Sequence, residues 1–180
     1  MVYVFLADGF EEIEALTPVD ILRRGKVNVV TVGVGGRTVT SSHNITVTAD
    51  IADSELSDFD GTEGVILPGG MPGTLNLEKC PTVINAVRYC AEKGLLVSAI
   101  CAAPSILGHS GLLKGKKAVC FPSFESELEG YIECDDYVCR DGNIITAKGM
   151  GVSVDFGLEI LAYLKGEELS EKIRGAIQCR

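Results

Sequence analysis

Leu95-Leu96-Val97-Ser98-Ala99-Ile100-Cys101-Ala102-Ala103-Pro104-Ser105 decides the fold. Leu95 to Ile100 is apolar apart from one serine and lacks the strict alternation of a strand with one wet face. It therefore reads as a strand buried on both sides. The run ends at Cys101, and Ala102 to Gly108 then opens a short helix. Strand, cysteine, helix is the order of a nucleophile elbow, in which a tight turn lifts a reactive atom above a parallel sheet. Ala102 and Ala103 are small enough to let neighbouring backbone approach.

The same grammar extends in both directions. Val2 to Leu6 is a buried strand, followed by a helical pattern over Glu11 to Arg24, within which Pro18 should start a new turn or kink. Val27 to Val34 is a second strand, closed by Gly33, Gly35 and Gly36. Arg37 to Thr48 reads as a hairpin or a pair of short edge strands. Gly64 to Leu67 is a strand stopped by Pro68-Gly69-Gly70. Pro81 to Lys93 is a helix, with its proline in the first turn and Gly94 at its end. Ala118 to Phe121 and Asn143 to Thr146 read as later strands. Val152 to Lys165 and Glu167 to Ile177 read as helices. Apolar strands separated by helices predict a doubly wound α/β sandwich around a mostly parallel sheet. A length of 180 residues, against ~150 per domain, predicts one domain over residues 1–180.

Composition narrows the function classes. Lys and Arg number 16 against 25 Asp and Glu, a net charge of −9, which disfavours a nucleic-acid partner. No apolar run approaches the ~20 residues of a membrane span. Met1 to Asp8 has no basic lead and no small-residue cleavage site, so it reads as a first strand and not as a signal peptide. A cytoplasmic protein is expected. The seven cysteines are an odd set without zinc-knuckle spacing, so free thiols in a reducing compartment are expected, and no metal. Cys134 and Cys139 should lie in or beside a strand. No dinucleotide fingerprint or phosphate-binding loop occurs, so no cofactor is expected.

Parallel sheets carry their sites at the carboxyl ends of strands. That rule selects Asp8 to Glu11, Pro68 to Met71, Cys101 to Pro104 and Gly149 to Gly151. Cys101 is the candidate nucleophile. A helix start should lower its pKa, and backbone N–H groups there can hold an oxyanion, with Gly70 as a second donor. Glu14 is the candidate acid. It is bracketed by Ile13, Ala15 and Leu16, and sharing one proton with Cys101 would leave it protonated. Glu11 and Glu12 read as acids that complement the helix dipole. His109 reads as a helix-surface or helix-end residue, since eight helical residues rise ~12 Å from Cys101.

Asp8-Gly9-Phe10-Glu11-Glu12-Ile13-Glu14, Thr17-Pro18-Val19-Asp20, Leu67-Pro68-Gly69-Gly70, Ala99-Ile100-Cys101-Ala102-Ala103-Pro104 and Thr146-Ala147-Lys148-Gly149 together resemble the ThiJ/PfpI superfamily in its DJ-one-like branch. The resemblance spans nearly the whole chain. It implies a flavodoxin-like, class I glutamine amidotransferase-like sandwich and a homodimer. It also implies Cys101 as the oxidation-prone cysteine, Glu14 as its protonated partner, and Gly70 and Ala102 as backbone oxyanion donors. Arg24 and His43 are implied near the partner's pocket across the dimer. The protease branch carries a His directly after the nucleophile. Ala102 stands there in this chain, which disfavours peptidase activity. The segment Glu129 to Glu133 also lacks a His that the branch commonly has.

Two functions follow from the resemblance. One is glyoxalase or deglycase chemistry on a small reactive aldehyde such as methylglyoxal. The other is an oxidative-stress sensor or redox-regulated chaperone, in which an oxidant acts on Cys101 with little turnover. The absent His weighs against fast turnover and leaves thiol oxidation intact.

Overall fold

A computed structural model describes residues 1–179. In chain order its elements are β1 (Val2–Leu6), α1 (Glu12–Arg24), β2 (Val29–Gly33), β3 (Thr38–Thr40), β4 (Thr46–Thr48), β5 (Ile51–Ala52), β6 (Gly64–Leu67), α2 (Gly73–Lys79), α3 (Pro81–Glu92), β7 (Leu96–Ile100), α4 (Pro104–His109), β8 (Lys117–Ala118), β9 (Ile132–Glu133), β10 (Val138–Asp141), β11 (Ile144–Ala147), α5 (Ser153–Lys165) and α6 (Glu167–Ala176). Seven strands form one sheet in the order β10-β11-β7-β6-β1-β2-β5. Every pairing in it is parallel except β10 with β11. This is the doubly wound, flavodoxin-like α/β arrangement.

The pleat explains how the strands bury both faces. Successive side chains point to opposite sides, so Val2, Val4 and Leu6 join α1 and α5 in one core. Tyr3 and Phe5 join α2, α3 and α4 in the other. Every β7 residue is buried. Its one polar side chain, Ser98, donates to the Val65 carbonyl at 2.9 Å, so its hydroxyl is not orphaned. Side chains such as Leu67 and Ile100 each contribute roughly 1.5–3 kcal/mol by leaving water. Helices α1 and α5 pack closely because Gly157 lacks a side chain. A Cβ there would lie 2.8 Å from Ile21 Cδ1 and 3.2 Å from Pro18 Cα.

Three local readings change. Helix α1 runs unbroken through Pro18. Pro18 has no N–H, so the Glu14 carbonyl has no helical donor four residues on. The strand expected over Ala118 to Phe121 shrinks to Lys117–Ala118. Val119 N–H donates instead to Thr146 Oγ1 at 2.9 Å, and Phe121 N–H to the Cys101 carbonyl at 2.8 Å, so those donors leave the ladder. The helix expected from Ala102 begins at Pro104. Helix α2 was missed, its start being masked by Gly73 beside Pro72. Among the described residues, no helix is long and apolar enough to cross a membrane.

Candidate functional site

Strand register brings the site together. Leu67 of β6 lies opposite Ala99 of β7, and Ala147 of β11 lies opposite Ile100. The three strands therefore finish level, and the Pro68, Cys101 and Lys148 segments leave the sheet side by side. The loop after β1 joins them, because Glu11 N–H donates to the Gly69 carbonyl at 3.0 Å. The four loops selected from sequence thus meet at one carboxyl edge.

Cys101 sits at the turn with φ +65°, a left-handed conformation for a residue with a side chain. Such a backbone costs on the order of 1–3 kcal/mol and persists only where its surroundings enforce it. Here they do: Cys101 N–H donates to the Ala147 carbonyl at 2.9 Å, and the Cys101 carbonyl accepts from Phe121. Glu14 and the N–H groups of Gly70 and Ala102 stand close enough to the thiol to shift its pKa. Cys101 is partly exposed, whereas Glu14 is 1% exposed.

Glu14 is fixed from three sides. Its Oε2 accepts from Gly69 N–H at 2.9 Å, and the Met150 N–H and the Cys101 thiol lie close enough to the carboxyl to pull its pKa down. Glu11 caps the helix below, its Oε2 accepting from Glu14 N–H at 2.7 Å. Gly69 has no room for a side chain, since a Cβ there would stand 2.7 Å from both Cys101 Cβ and Glu14 Oε2. The Pro68-Gly69-Gly70 turn is therefore the spacer that lets acid and thiol touch. Sequence reasoning assigned Gly70 but missed Gly69 and Met150 as partners of the carboxyl. Both lie in strand-end loops that had been singled out.

Burial pushes the Glu14 carboxyl up to about 7, aided by the Glu11 charge and opposed by the Cys101, Gly69 and Met150 hydrogen bonds. Burial also pushes the Cys101 thiol up, to about 12, with the Glu14 charge next and the Ala102 and Gly70 N–H groups pulling it back. The expected lowering by a helix start is overturned. Helix α4 begins three residues later and spans only six residues, while the carboxylate stands directly against the sulfur. A protonated Glu14 reverses that opposition, because a neutral carboxyl donates a hydrogen bond to a thiolate instead of repelling it. Each group thus shifts the titration of the other.

The remaining expected residues lie elsewhere in the chain. Arg24 closes α1 and pairs with Asp20 at 2.7 Å, about ten residues and ~15 Å of helix from Glu14. His43 sits in the β3–β4 hairpin, with its Nδ1 3.0 Å from Glu12 Oε1. Burial opposes ionisation of Glu12, yet N–H, His43 and Ser41 hydrogen bonds together hold its pKa below the usual value. His109 ends α4 between Glu78 and Glu127, and those two hydrogen bonds raise its pKa. It takes no part in the Cys101 site. Cys139 lies in β10 and Cys134 directly follows β9, as expected. Among the described residues, Glu11, Glu12 and His43 alone have metal-ligand spacing, within 4.8 Å. Glu11 already caps α1 and Glu12 already binds His43.

Comparison with known proteins gives consistent matches. The family model described as the DJ-1/PfpI family matches residues 1–163. Protein DJ-1 homolog B of Arabidopsis thaliana is 36% identical over 171 residues, covering 93% of this chain but only 38% of that protein's own length. The glutathione-independent glyoxalase DJR-1.2 of Caenorhabditis elegans is 30% identical over 167 residues, covering 91% of this chain and 87% of that one. Among solved structures, oxidized Toxoplasma gondii DJ-1 superposes with a TM-score of 0.94 at 30% identity, over 99% of this chain and 97% of the other.

Proposed function

The chain belongs to the DJ-1/PfpI family, and from that premise we propose that it converts reactive 2-oxoaldehydes such as methylglyoxal to 2-hydroxy acids. Cys101 is the nucleophile and Glu14 the proton carrier. One observation carries the reading: a buried carboxyl, its pKa raised to about 7, hydrogen-bonded to a thiol at a strained strand-end turn. A carboxyl that titrates near neutrality both gives and takes protons there.

The sequence of steps uses only this chain, the substrate and water. The Cys101 thiolate adds to the aldehyde carbon, and the carbonyl oxygen takes the proton held by Glu14, giving a hemithioacetal. The Gly70 and Ala102 N–H groups stabilise the oxygen while it is charged. The Glu14 carboxylate removes the hydrogen on the aldehyde carbon, forming an enediolate; the hemithioacetal hydroxyl passes its proton through water to the neighbouring oxygen, and Glu14 returns its own proton to the adjacent carbon. A thioester and a new hydroxyl result. Water then cleaves the thioester, releasing the 2-hydroxy acid and restoring the thiol. Glu14 carries the proton between the two carbons, and none of these steps calls on a side chain of the Glu129 to Glu133 segment. Purified protein given methylglyoxal should form lactate without glutathione, and Cys101→Ser should not. Lactate formed by the Cys101→Ser protein at the wild-type rate contradicts the assignment.

A second reading has its own support in the protonated carboxyl beside a partly exposed sulfur. The Cys101 thiolate attacks one peroxide oxygen, the O–O bond breaks, and the second oxygen leaves as water after taking a proton. Sulfenic acid forms, and a second peroxide gives the sulfinate. Protonated Glu14 then donates to a sulfinate oxygen. The oxidized state named for the Toxoplasma relative fits this chemistry. We place the protein in the cytoplasm as a homodimer. The exposed Ile13 and Leu16 of α1 and Ile45 of the hairpin are candidates for the contact, with Arg24 and His43 near it. A monomer in light scattering at micromolar concentration would contradict the dimer.

A further inference from the structure

Beside the Cys101–Glu14 pair lies a cavity of about 450 Å³ that the steps above leave unused. Phe121, Tyr137, Lys148, Gly149, Met150 and Gly151 line it. Phe121, Tyr137 and Met150 are 47%, 66% and 54% exposed, so three large apolar side chains face solvent around one depression. Exposed apolar surface gathered this way marks a binding site more often than scattered exposure does. Pockets of roughly 300–1,000 Å³ suit ligands well above the size of a three-carbon aldehyde.

The walls of the cavity are tied directly to the reacting groups. Phe121 N–H holds the Cys101 carbonyl at 2.8 Å. Met150 N–H holds the Glu14 carboxyl. A Cβ on Gly149 would stand 3.9 Å from Glu14 Oε1 and 3.3 Å from the Phe121 ring. Tyr137 is clamped by Lys148, whose N–H donates to the Tyr137 carbonyl at 2.9 Å and whose Nζ lies 4.8 Å above the Tyr137 ring. Through Phe121 and Gly149 the cavity wall adjoins both reacting residues.

We propose that the Phe121–Tyr137–Met150 cavity binds the side group of the substrate, and that the preferred substrates are 2-oxoaldehydes bearing an aryl or bulky alkyl group. This rests on the oxoaldehyde reading of Cys101 and Glu14 and adds the specificity to it. A methyl group leaves the cavity to water, whereas a phenyl ring buries against Phe121 and Met150.

Gly151 supplies the test. No atom lies within 4 Å of a Cβ added there, so Gly151→Phe can fill the cavity from an exposed loop without unfolding the protein. The measurements are kcat/KM for phenylglyoxal and methylglyoxal, and affinities for mandelate and lactate, the corresponding products. Wild-type protein should favour phenylglyoxal by about tenfold or more, the scale on which apolar pockets discriminate. The gain should lie mainly in KM, and mandelate should bind more tightly than lactate. Gly151→Phe should lower both ratios by about tenfold. Equal kcat/KM values, or ratios untouched by Gly151→Phe, overturn the proposal while leaving the oxoaldehyde reading in place. Turnover of neither aldehyde removes that reading, and the mandelate-to-lactate ratio then decides the cavity alone. Mandelate binding that is lost as the protein self-associates also overturns it, since a second copy would then be the occupant.

Discussion

Cys90 and Cys101 have thiols pushed up to about the same pKa, near 12, by different surroundings. Cys90 is 0% exposed in α3, and burial alone raises it. Cys101 is raised by burial and then by a carboxyl that touches it, against two backbone N–H groups that favour the thiolate. A thiol sealed in hydrocarbon has nothing nearby that can change. A thiol opposed by a titratable neighbour is released when that neighbour takes a proton. The difference in cause, and not in pKa, separates a core residue from a reactive one.

The comparison breaks most visibly at the nucleophile. Cys101→Ser should lower methylglyoxal conversion at least about 1,000-fold, with Cys90→Ala leaving kcat/KM within twofold by lactate assay. Glu14→Gln should cost about 100-fold or more at pH 7, the usual worth of a positioned acid–base group. The same substitution sharpens the stability side. A carboxyl raised from 4.5 to about 7 binds more protons in the folded state. Its contribution is therefore complete below pH 4.5 and is lost as pH rises through 7, a change on the order of 3 kcal/mol. His109, also raised, loses stability in an overlapping window, so the quantity to measure is the difference between wild type and Glu14→Gln in urea melts from pH 4 to 8. Equal slopes would detach Glu14 from the account.

Smaller effects test the scaffold. Gly69→Ala places a Cβ 2.7 Å from Cys101 Cβ and Glu14 Oε2, which should destabilise by about 1–3 kcal/mol in urea melts and separate the pair. Cys90→Ala removes one buried sulfur and should cost about 1 kcal/mol. His43→Ala breaks a largely exposed pair and should shift stability by less than about 1 kcal/mol.

The sheet was legible because its strands are apolar on both faces and punctuated by Gly and Pro. Val2 to Leu6 and Leu95 to Ile100 could be little else. Glu14 was legible as an acid set among apolar neighbours, and Cys101 as a cysteine at a strand end. The sign of the Cys101 shift was not, because it depends on how far the sulfur stands from one carboxyl, and chain separation carries no such distance. Gly69 and Met150 were illegible for a related reason. They act through backbone N–H groups, which every residue but proline has, and only the register of β6, β7 and β11 aims them at Glu14. Helix α2 was hidden because its first turn follows Pro72 and starts on a glycine.

The most direct measurement is the alkylation rate of Cys101 with iodoacetamide from pH 5 to 11, resolved by mass spectrometry alongside Cys90, in wild type and Glu14→Gln. A shared proton requires the wild-type rate to rise through about pH 7 and then level off, with Glu14→Gln showing a single rise at higher pH and Cys90 staying inert. A Cys101 profile that climbs steadily with hydroxide and is the same in both proteins contradicts the coupling of sulfur to carboxyl.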